Sequence, residues 1–379
     1  MREASSLDDR LRSAFAGRKV LLTGHTGFKG GWMALWLTML GAEVRGIALS
    51  PETEPSLFDA LGLSELIDHR IADIRDEKAL GEAVAGFEAD IVFHLAAQSL
   101  VRPSYEDPVG TLSTNVIGTA TVLEQVRRMP SAKAVVVVSS DKCYENNEWP
   151  WPYREVDPMG GADPYSASKG CTELVASSYR RSFFADPEGC QLASVRAGNV
   201  FGGGDWSRDR LVPDIVRANL SGTPVIIRNP EGVRPWQHVL EPLSGYMELG
   251  ALLLSDRSTD FAEGWNFGPS ADAFVRVKDL ARGMQQAWGE AAAPIEFGSN
   301  AGDPPEANML TLDSSKAAQR IGWRPRLTTD EAIAMTAQWY LAHAEGQRDM
   351  RQFTQQQIAQ YCGMPADAAA QAEYDRQCA

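Results

Sequence analysis

The run Lys19-Val20-Leu21-Leu22-Thr23, followed at once by Gly24-His25-Thr26-Gly27-Phe28-Lys29-Gly30 and then by a helix-length apolar stretch, leaves few folds open to this chain. A short apolar run closed by glycines reads as a buried strand. Trp32, Leu35, Trp36 and Met39 recur at helical spacing beyond it and predict an amphipathic helix. In a strand, turn and helix of this kind Gly24 permits the tight turn. Gly27 lets backbone N–H groups approach a pyrophosphate, and Gly30 lets the helix pack closely on the sheet. The helix N-terminus adds partial positive charge, so the expected ligand is a dinucleotide, with a merely flexible loop as the alternative.

The same grammar continues downstream. Strand-like runs fall at Val44 to Leu49, Ile91 to Leu95, Ala134 to Ser139 and Ala193 to Arg196, with helix-length segments at Glu77 to Ala85 and Asn115 to Arg128 between them. Strands alternating with helices predict an α/β fold, a Rossmann-type doubly wound parallel sheet covered on both faces. Residues 15–200 are expected to form this domain. After about residue 200 the texture changes to Gly202-Gly203-Gly204, many Pro, and short apolar runs such as Val225-Ile226-Ile227-Arg228. Residues 201–343 therefore read mainly as a smaller, loop-rich C-terminal substrate lobe, with the chain crossing back to the sheet. The Gln- and Ala-rich stretch 344–379 reads as a helical or partly ordered tail.

With 379 residues, 44% hydrophobic and 23% charged, the chain can bury a sizeable core. The formal net charge of −14 argues against nucleic acid or anionic lipid as a partner, so any anion site has to be built locally. The five cysteines (Cys143, Cys171, Cys190, Cys362, Cys378) form no CxxC pair and stand at no zinc spacing. No metal is expected, and a reducing cytoplasm is. No apolar run approaches the roughly 20 residues that span a bilayer, and no membrane partner is expected.

Three segments carry the chemistry. Ser139-Ser140-Asp141-Lys142 closes an apolar strand, which puts hydroxyls, an acid and an amine where a parallel sheet opens onto its ligand. Tyr165 and Lys169 stand four apart, one helical turn, so that the ammonium favours the phenolate and the pair can take a proton from an alcohol. A turn cap built of Ser and Asp, and a chance pairing on a solvated helix, are the bland alternatives. Leu95-Ala96-Ala97-Gln98 follows another strand.

In this order, the glycine turn, Leu95 to Gln98, Ser140-Asp141-Lys142-Cys143-Tyr144, Asp163-Pro164-Tyr165-Ser166 with Lys169, Arg196-Ala197-Gly198-Asn199-Val200 and Arg234-Pro235-Trp236-Gln237-His238 strongly resemble the extended short-chain dehydrogenase/reductases. Within them they resemble the sugar-nucleotide 4,6-dehydratases over roughly residues 15 to 345. Most of that family carries Asp-Glu where this chain has Asp141-Lys142, and the Lys resembles the branch acting on CDP-glucose.

The resemblance implies NAD, tightly held and regenerated each turnover, at Gly24, Thr26, Gly27, Phe28, Lys29, Gly30, Asp73, Ile74, Leu95, Ala96, Ala97, Gln98, Asn115, Tyr165 and Lys169. NADP is the less favoured cofactor, although the second strand ends at Ser50 where the family has an acid for the ribose. Arg45 argues little for a 2′-phosphate because it is free to point into solvent. The substrate implied is a nucleotide-diphosphate hexose held by Asn199, Arg208, Arg234 and His238. Arg208 and Arg210 are each also readable as surface arginines, and His94 and His238 as packed imidazoles. Trp149, Trp151 and Trp236 are candidates for base stacking or for core packing. The reaction implied is oxidation at carbon 4 with Tyr165 as base, loss of water across carbons 5 and 6 with Asp141 as acid and Lys142 as base, and return of hydride to carbon 6. Ser140 bonds the 4-oxygen, and Lys169 lowers the Tyr165 pKa. A homodimer is implied through the helices after Asn115 and around Tyr165. An epimerase would share the Tyr, the Lys and the glycines without needing Asp141-Lys142, whereas a non-catalytic dinucleotide sensor would relax the reaction centre.

Overall fold

The computed structural model describes residues 6–269, 274–298 and 309–363. Six strands alternate with helices: β1 (Lys19–Thr23), β2 (Glu43–Ala48), β3 (Asp68–Ile71), β4 (Ile91–His94), β5 (Ala134–Val138) and β6 (Gln191–Ala197). Gly264–Phe267 adds a seventh, and the order across the sheet is Gly264–Phe267, β6, β5, β4, β1, β2, β3, every pair parallel. The order reverses between β1 and β4, and at such a switch point the loops leaving the carboxyl ends diverge and open a crevice.

Burial follows the pleat. Val20 and Leu22 of β1 face one hydrophobic cluster and Leu21 the other; Val136 and Val135 of β5 divide the same way. The second cluster is closed by Val122, Leu123 and Val126 of the helix Gly118–Arg127 and by Ala176 of the helix Pro164–Ser182.

The helix Phe28–Met39 differs from expectation. It is buried nearly all round rather than on one stripe, with Met33, Ala34 and Leu37 inaccessible beside the stripe residues. The reason lies far along the chain: the helix Met350–Cys362 covers its outer side, and Tyr361 meets the Trp36 ring edge-on at 5.8 Å. The run beyond 363, with Cys378, lies outside the described residues.

β3 was not foreseen from the sequence, because its charged Asp68-His69-Arg70 sits at the sheet edge where half-exposure suffices. Arg45 is buried rather than solvent-facing. It pairs with Asp68 at 2.6 Å and donates to the Ala85 carbonyl at 2.9 Å. The C-terminal segments pair into short strands, Val225–Ile227 with Ile295–Phe297 and Val233–Pro235 with Phe274–Arg276, while the helix Leu240–Leu253 returns to pack on the sheet. Gly203 lies against Trp339, where an added Cβ would come within 2.0 Å of the ring, so the triple glycine joins the segments by close approach rather than by looseness.

Candidate active site

Gly24 sits at φ +82°, and a Cβ there would meet the Ala96 nitrogen at 2.7 Å. A Cβ on Gly30 would come within 2.1 Å of the Gly24 carbonyl oxygen. The turn is thus drawn tight against both β4's exit and its own helix, and Thr26 Oγ1 ties it to the Leu49 carbonyl at 2.9 Å. A glycine turn drawn this tight at a helix N-terminus fits the pyrophosphate of a dinucleotide. Gly30→Val is expected to lower stability by about 1–3 kcal/mol and to abolish dinucleotide binding, since backbone has to move. Thermal melting and a fluorescence titration with NAD+ check this; a variant that binds as the wild type does would contradict the cradle.

One cavity of about 890 Å³ runs from the turn to the sheet's carboxyl edge. Gly24, Thr26, Gly27, Phe28, Lys29, Gly30, Asp73, Ile74 and Leu95 to Gln98 all line it. Asp73 is held by Arg75, which chelates both carboxylate oxygens and lowers its pKa. Ser50 and Glu52 line the wall at the end of β2. Asn115 does not line the cavity. It is buried in a π-helical turn, Ser113–Ile117, where its side chain accepts from the Gln98 N–H at 2.8 Å and donates to Ser168 Oγ at 2.8 Å. It fastens the Gln98 loop to the Tyr165 helix.

At the end of β5, Ser140 caps a 3-10 turn, Asp141–Cys143: its Oγ accepts from the Lys142 N–H and donates to Asp141 Oδ1 at 2.8 Å. Asp141 Oδ2 is buried without a hydrogen-bond partner. Burial raises the Asp141 pKa, opposed by Lys142, Ser140 and Lys29, so the carboxyl is biased toward carrying a proton. Lys142 is half-buried on the cavity wall. Opposite, Asp163 caps the helix Pro164–Ser182 by accepting from the Ser166 N–H at 2.9 Å, which aims Tyr165 and Lys169 into the same space.

The electrostatics depart from the expectation at one point. Burial pushes Tyr165 up to about 12, with only the Ser140 hydrogen bond and the Arg210 charge pulling it down. Lys169, its Nζ 6.0 Å from the Tyr165 ring centre, is itself lowered to about 8 by burial. Desolvation, not the cation one turn away, sets the direction of the Tyr165 shift. Lys29 is lowered to about 7 by burial and by the charges of Arg210 and Lys169.

The far end of the cavity is lined by Asn199, Arg210, Arg234 and Trp236. Arg208, expected here, is exposed and does not line it; Arg210 turns in instead, held by Asp205 at 3.1 Å and reaching Ser99 Oγ at 3.1 Å. His238 is also removed from the wall. Its short strand pairs with Val200–Phe201 and sends the ring between Trp32 and Phe201, where burial lowers its pKa to about 3. His94 is packed and bonded to Thr23 at 2.7 Å and Thr119 at 3.1 Å. Trp149 packs at a tilt against Tyr153, and Trp151 is exposed. A further buried group went unnoticed in the sequence: Glu173, one turn beyond Lys169, pairs with Arg196 at 2.8 Å directly behind the reaction centre. Its i,i+4 spacing from Lys169 was the available signal.

Comparison with known proteins agrees with this geometry. Residues 21–336 match the family model described as GDP-mannose 4,6 dehydratase. The CDP-glucose 4,6-dehydratase of Salmonella typhimurium is 49% identical over 354 residues, 92% of this chain and 98% of that protein. Among solved structures, the epimerase Mth375 of Methanothermobacter thermautotrophicus superposes with a TM-score of 0.76 at 22% identity, covering 89% of this chain and 96% of that one. The dTDP-glucose 4,6-dehydratase of Bacillus anthracis in complex with NAD gives 0.72 at 20% identity, covering 87% and 98%. At those identities the two structures speak for the fold.

Proposed function

We propose, from the premise that this chain belongs to the family described as GDP-mannose 4,6 dehydratase, that it converts CDP-glucose into CDP-4-keto-6-deoxyglucose and water with no net redox change. The observation that carries the reading is that Asp141 and Lys142 share one cavity wall system with Tyr165, Lys169 and the glycine cradle. A proton acceptor for an alcohol and an acid/base pair for eliminating water thus converge where a dinucleotide fits. An epimerase has no use for the second pair.

When bound along the cradle, NAD supplies a hydride acceptor at carbon 4 that becomes the donor to carbon 6. Gly24, Gly27 and Gly30 would admit its pyrophosphate, Gln98 and Ile74 would border it, and Lys169 would hold the nicotinamide ribose. Tyr165 takes the proton of the sugar 4-hydroxyl in its phenolate form, which the Ser140 hydrogen bond and the Arg210 charge favour against burial, and Ser140 hydrogen-bonds the resulting 4-oxygen. The ketone acidifies carbon 5, whose proton passes to Lys142. Asp141, whose pKa burial raises, delivers a proton to the departing 6-hydroxyl. Asn199, Arg210 and Arg234 grip the diphosphate, a guanidinium matching two phosphoryl oxygens at once.

Residues 15–200 form the NAD-holding unit and 201–343 mainly the nucleotide-sugar lobe. A homodimer is supported by an exposed apolar strip over adjoining helices, with Val109, Ile117 and Leu174 between 57% and 75% exposed. No helix among the described residues is long and apolar enough to cross a membrane, and we place the enzyme in the cytoplasm.

Incubation with CDP-, dTDP- and GDP-hexoses plus NAD+ tests the reading through the absorbance of a 4-keto sugar. CDP-glucose is expected to react fastest, and deuterium at carbon 4 to end in the carbon 6 methyl group of the same molecule. Label lost to solvent, or a preference for dTDP-glucose, overturns it.

A further inference from the structure

We infer that His69, on the edge strand β3, is a positioning residue for the glycine turn, acting through a hydrogen bond to His25. The inference rests on NAD lying along that turn as read above, and it concerns two side chains to which the reaction sequence gives no part. His25 follows Gly24 directly, yet its ring is fully buried and does not line the cavity. It lies over β2 at Gly46, where an added Cβ would come within 2.5 Å of the imidazole. A glycine inside a strand marks such a close approach. Gly46 stands opposite His69 in the parallel pairing of β2 with β3, so a ring that crosses Gly46 arrives at His69. His25 Nε2 and His69 Nδ1 are 2.7 Å apart. Phe58, from the short helix Leu57–Ala60, packs against both imidazoles with ring centres at 5.6 and 4.8 Å.

The turn is tied to β2 by the Gly24 N–H, which donates to the Ile47 carbonyl at 2.8 Å, and by Thr26 Oγ1, which donates to the Leu49 carbonyl. His25 carries the attachment one strand further. β3 leads straight into Asp73 and Ile74 of the cavity wall, so the bond joins the floor of the dinucleotide groove to its side. His25 Nδ1 is buried without a hydrogen-bond partner, which leaves the bond to His69 to secure the ring. That bond needs one proton between two nitrogens, one ring donating and the other accepting. Burial, and then the neighbouring His69, lowers His25 to about 4, while burial lowers His69 against the pull of Asp68. Asp68 is itself engaged by Arg45 at 2.6 Å and Arg70 at 2.7 Å. Near pH 7 the pair is therefore neutral, the state in which the bond forms. Without the His69 nitrogen, the His25 ring regains a partner only by turning out toward water, and the turn goes with it. NAD then has to pull the turn back, and its affinity falls by the fraction of chains that still hold the turn in place.

The test compares the wild type with His69→Phe, which keeps a ring against Phe58 but offers no nitrogen, and with His69→Asn, whose amide takes the place of the imidazole Nδ1. Each is dialysed to equilibrium against graded NAD+ and assayed for bound cofactor, and each is melted thermally. The dissociation constant for NAD+ is expected to rise about tenfold in His69→Phe and to return to within about twofold of the wild type in His69→Asn, with little change in melting temperature. A merely structural role would lower the melting temperature and give no recovery of affinity with Asn. A folded Phe variant that binds NAD+ as the wild type does overturns the inference, as does an Asn variant no better than Phe. His69→Val serves for the same comparison if the Phe variant does not fold. A wild-type chain that binds no NAD+ overturns the cofactor reading and this inference with it; that failure shows in the wild type, whereas failure of this inference alone shows only in the variants.

Discussion

Tyr165→Phe is expected to leave the fold and NAD+ binding intact while lowering turnover of CDP-glucose by roughly 10²–10⁴-fold, the range that a positioned acid/base group contributes. The hydroxyl is the sole atom removed, and it sits in the cavity facing Ser140 with the ring buried, so packing is preserved. What is lost is the acceptor for the 4-hydroxyl proton. The loss should fall on the chemical step, with KM nearly unchanged, and no reduced nicotinamide should form on mixing with substrate. A Phe variant within a few-fold of the wild-type rate would falsify the assignment.

Lys142→Ala is expected to stop the sequence one step later. Tyr165, Lys169 and the glycine cradle are untouched, so substrate binds and carbon 4 is oxidised, but the carbon 5 proton has no acceptor. Reduced nicotinamide absorbance should therefore build up and persist, while formation of the 6-deoxy product falls by roughly 10²–10⁴-fold. Lys142 is half-buried on the cavity wall rather than in the core, so truncation should cost little stability. The two variants separate cleanly: one gives no reduced cofactor, the other gives it and holds it. If Lys142→Ala makes product at the wild-type rate, water loss uses another base.

Several parts of this molecule were readable without coordinates because they depend on short-range physics. A run such as Ala134 to Val138 is apolar on both sides because both faces of a central parallel strand are covered. Gly30 announces itself because a Cβ would collide with the Gly24 carbonyl across the same turn. Tyr165 and Lys169 share a helix, and Asp141 and Lys142 adjoin in the chain.

Other parts depended on chain far away in sequence. Nothing local says that the helix Phe28–Met39 will be capped by residues beyond 350, so its all-round burial looked like amphipathicity. Arg208 and Arg210 differ only in which one the turn around Asp205 directs inward. Asn115 looked like a ligand contact because its position matches a family motif, yet its bonds go to Gln98 and Ser168. The Tyr165 pKa was expected to fall from the cation one turn away, and burial by surrounding segments reversed the sign.

By itself, then, the sequence determined the strand, turn and helix grammar, the glycine turn and the pairing of Tyr165 with Lys169 and of Asp141 with Lys142, since backbone sterics and spacing along one element are written in consecutive residues. Only the tertiary structure decided which arginine lines the cavity, which asparagine and histidine stay behind its wall, and which carboxylate pairs with Arg196. Those outcomes come from desolvation and charge pairing between segments tens to hundreds of residues apart, and such terms acquire a value only when the chain has brought the groups together.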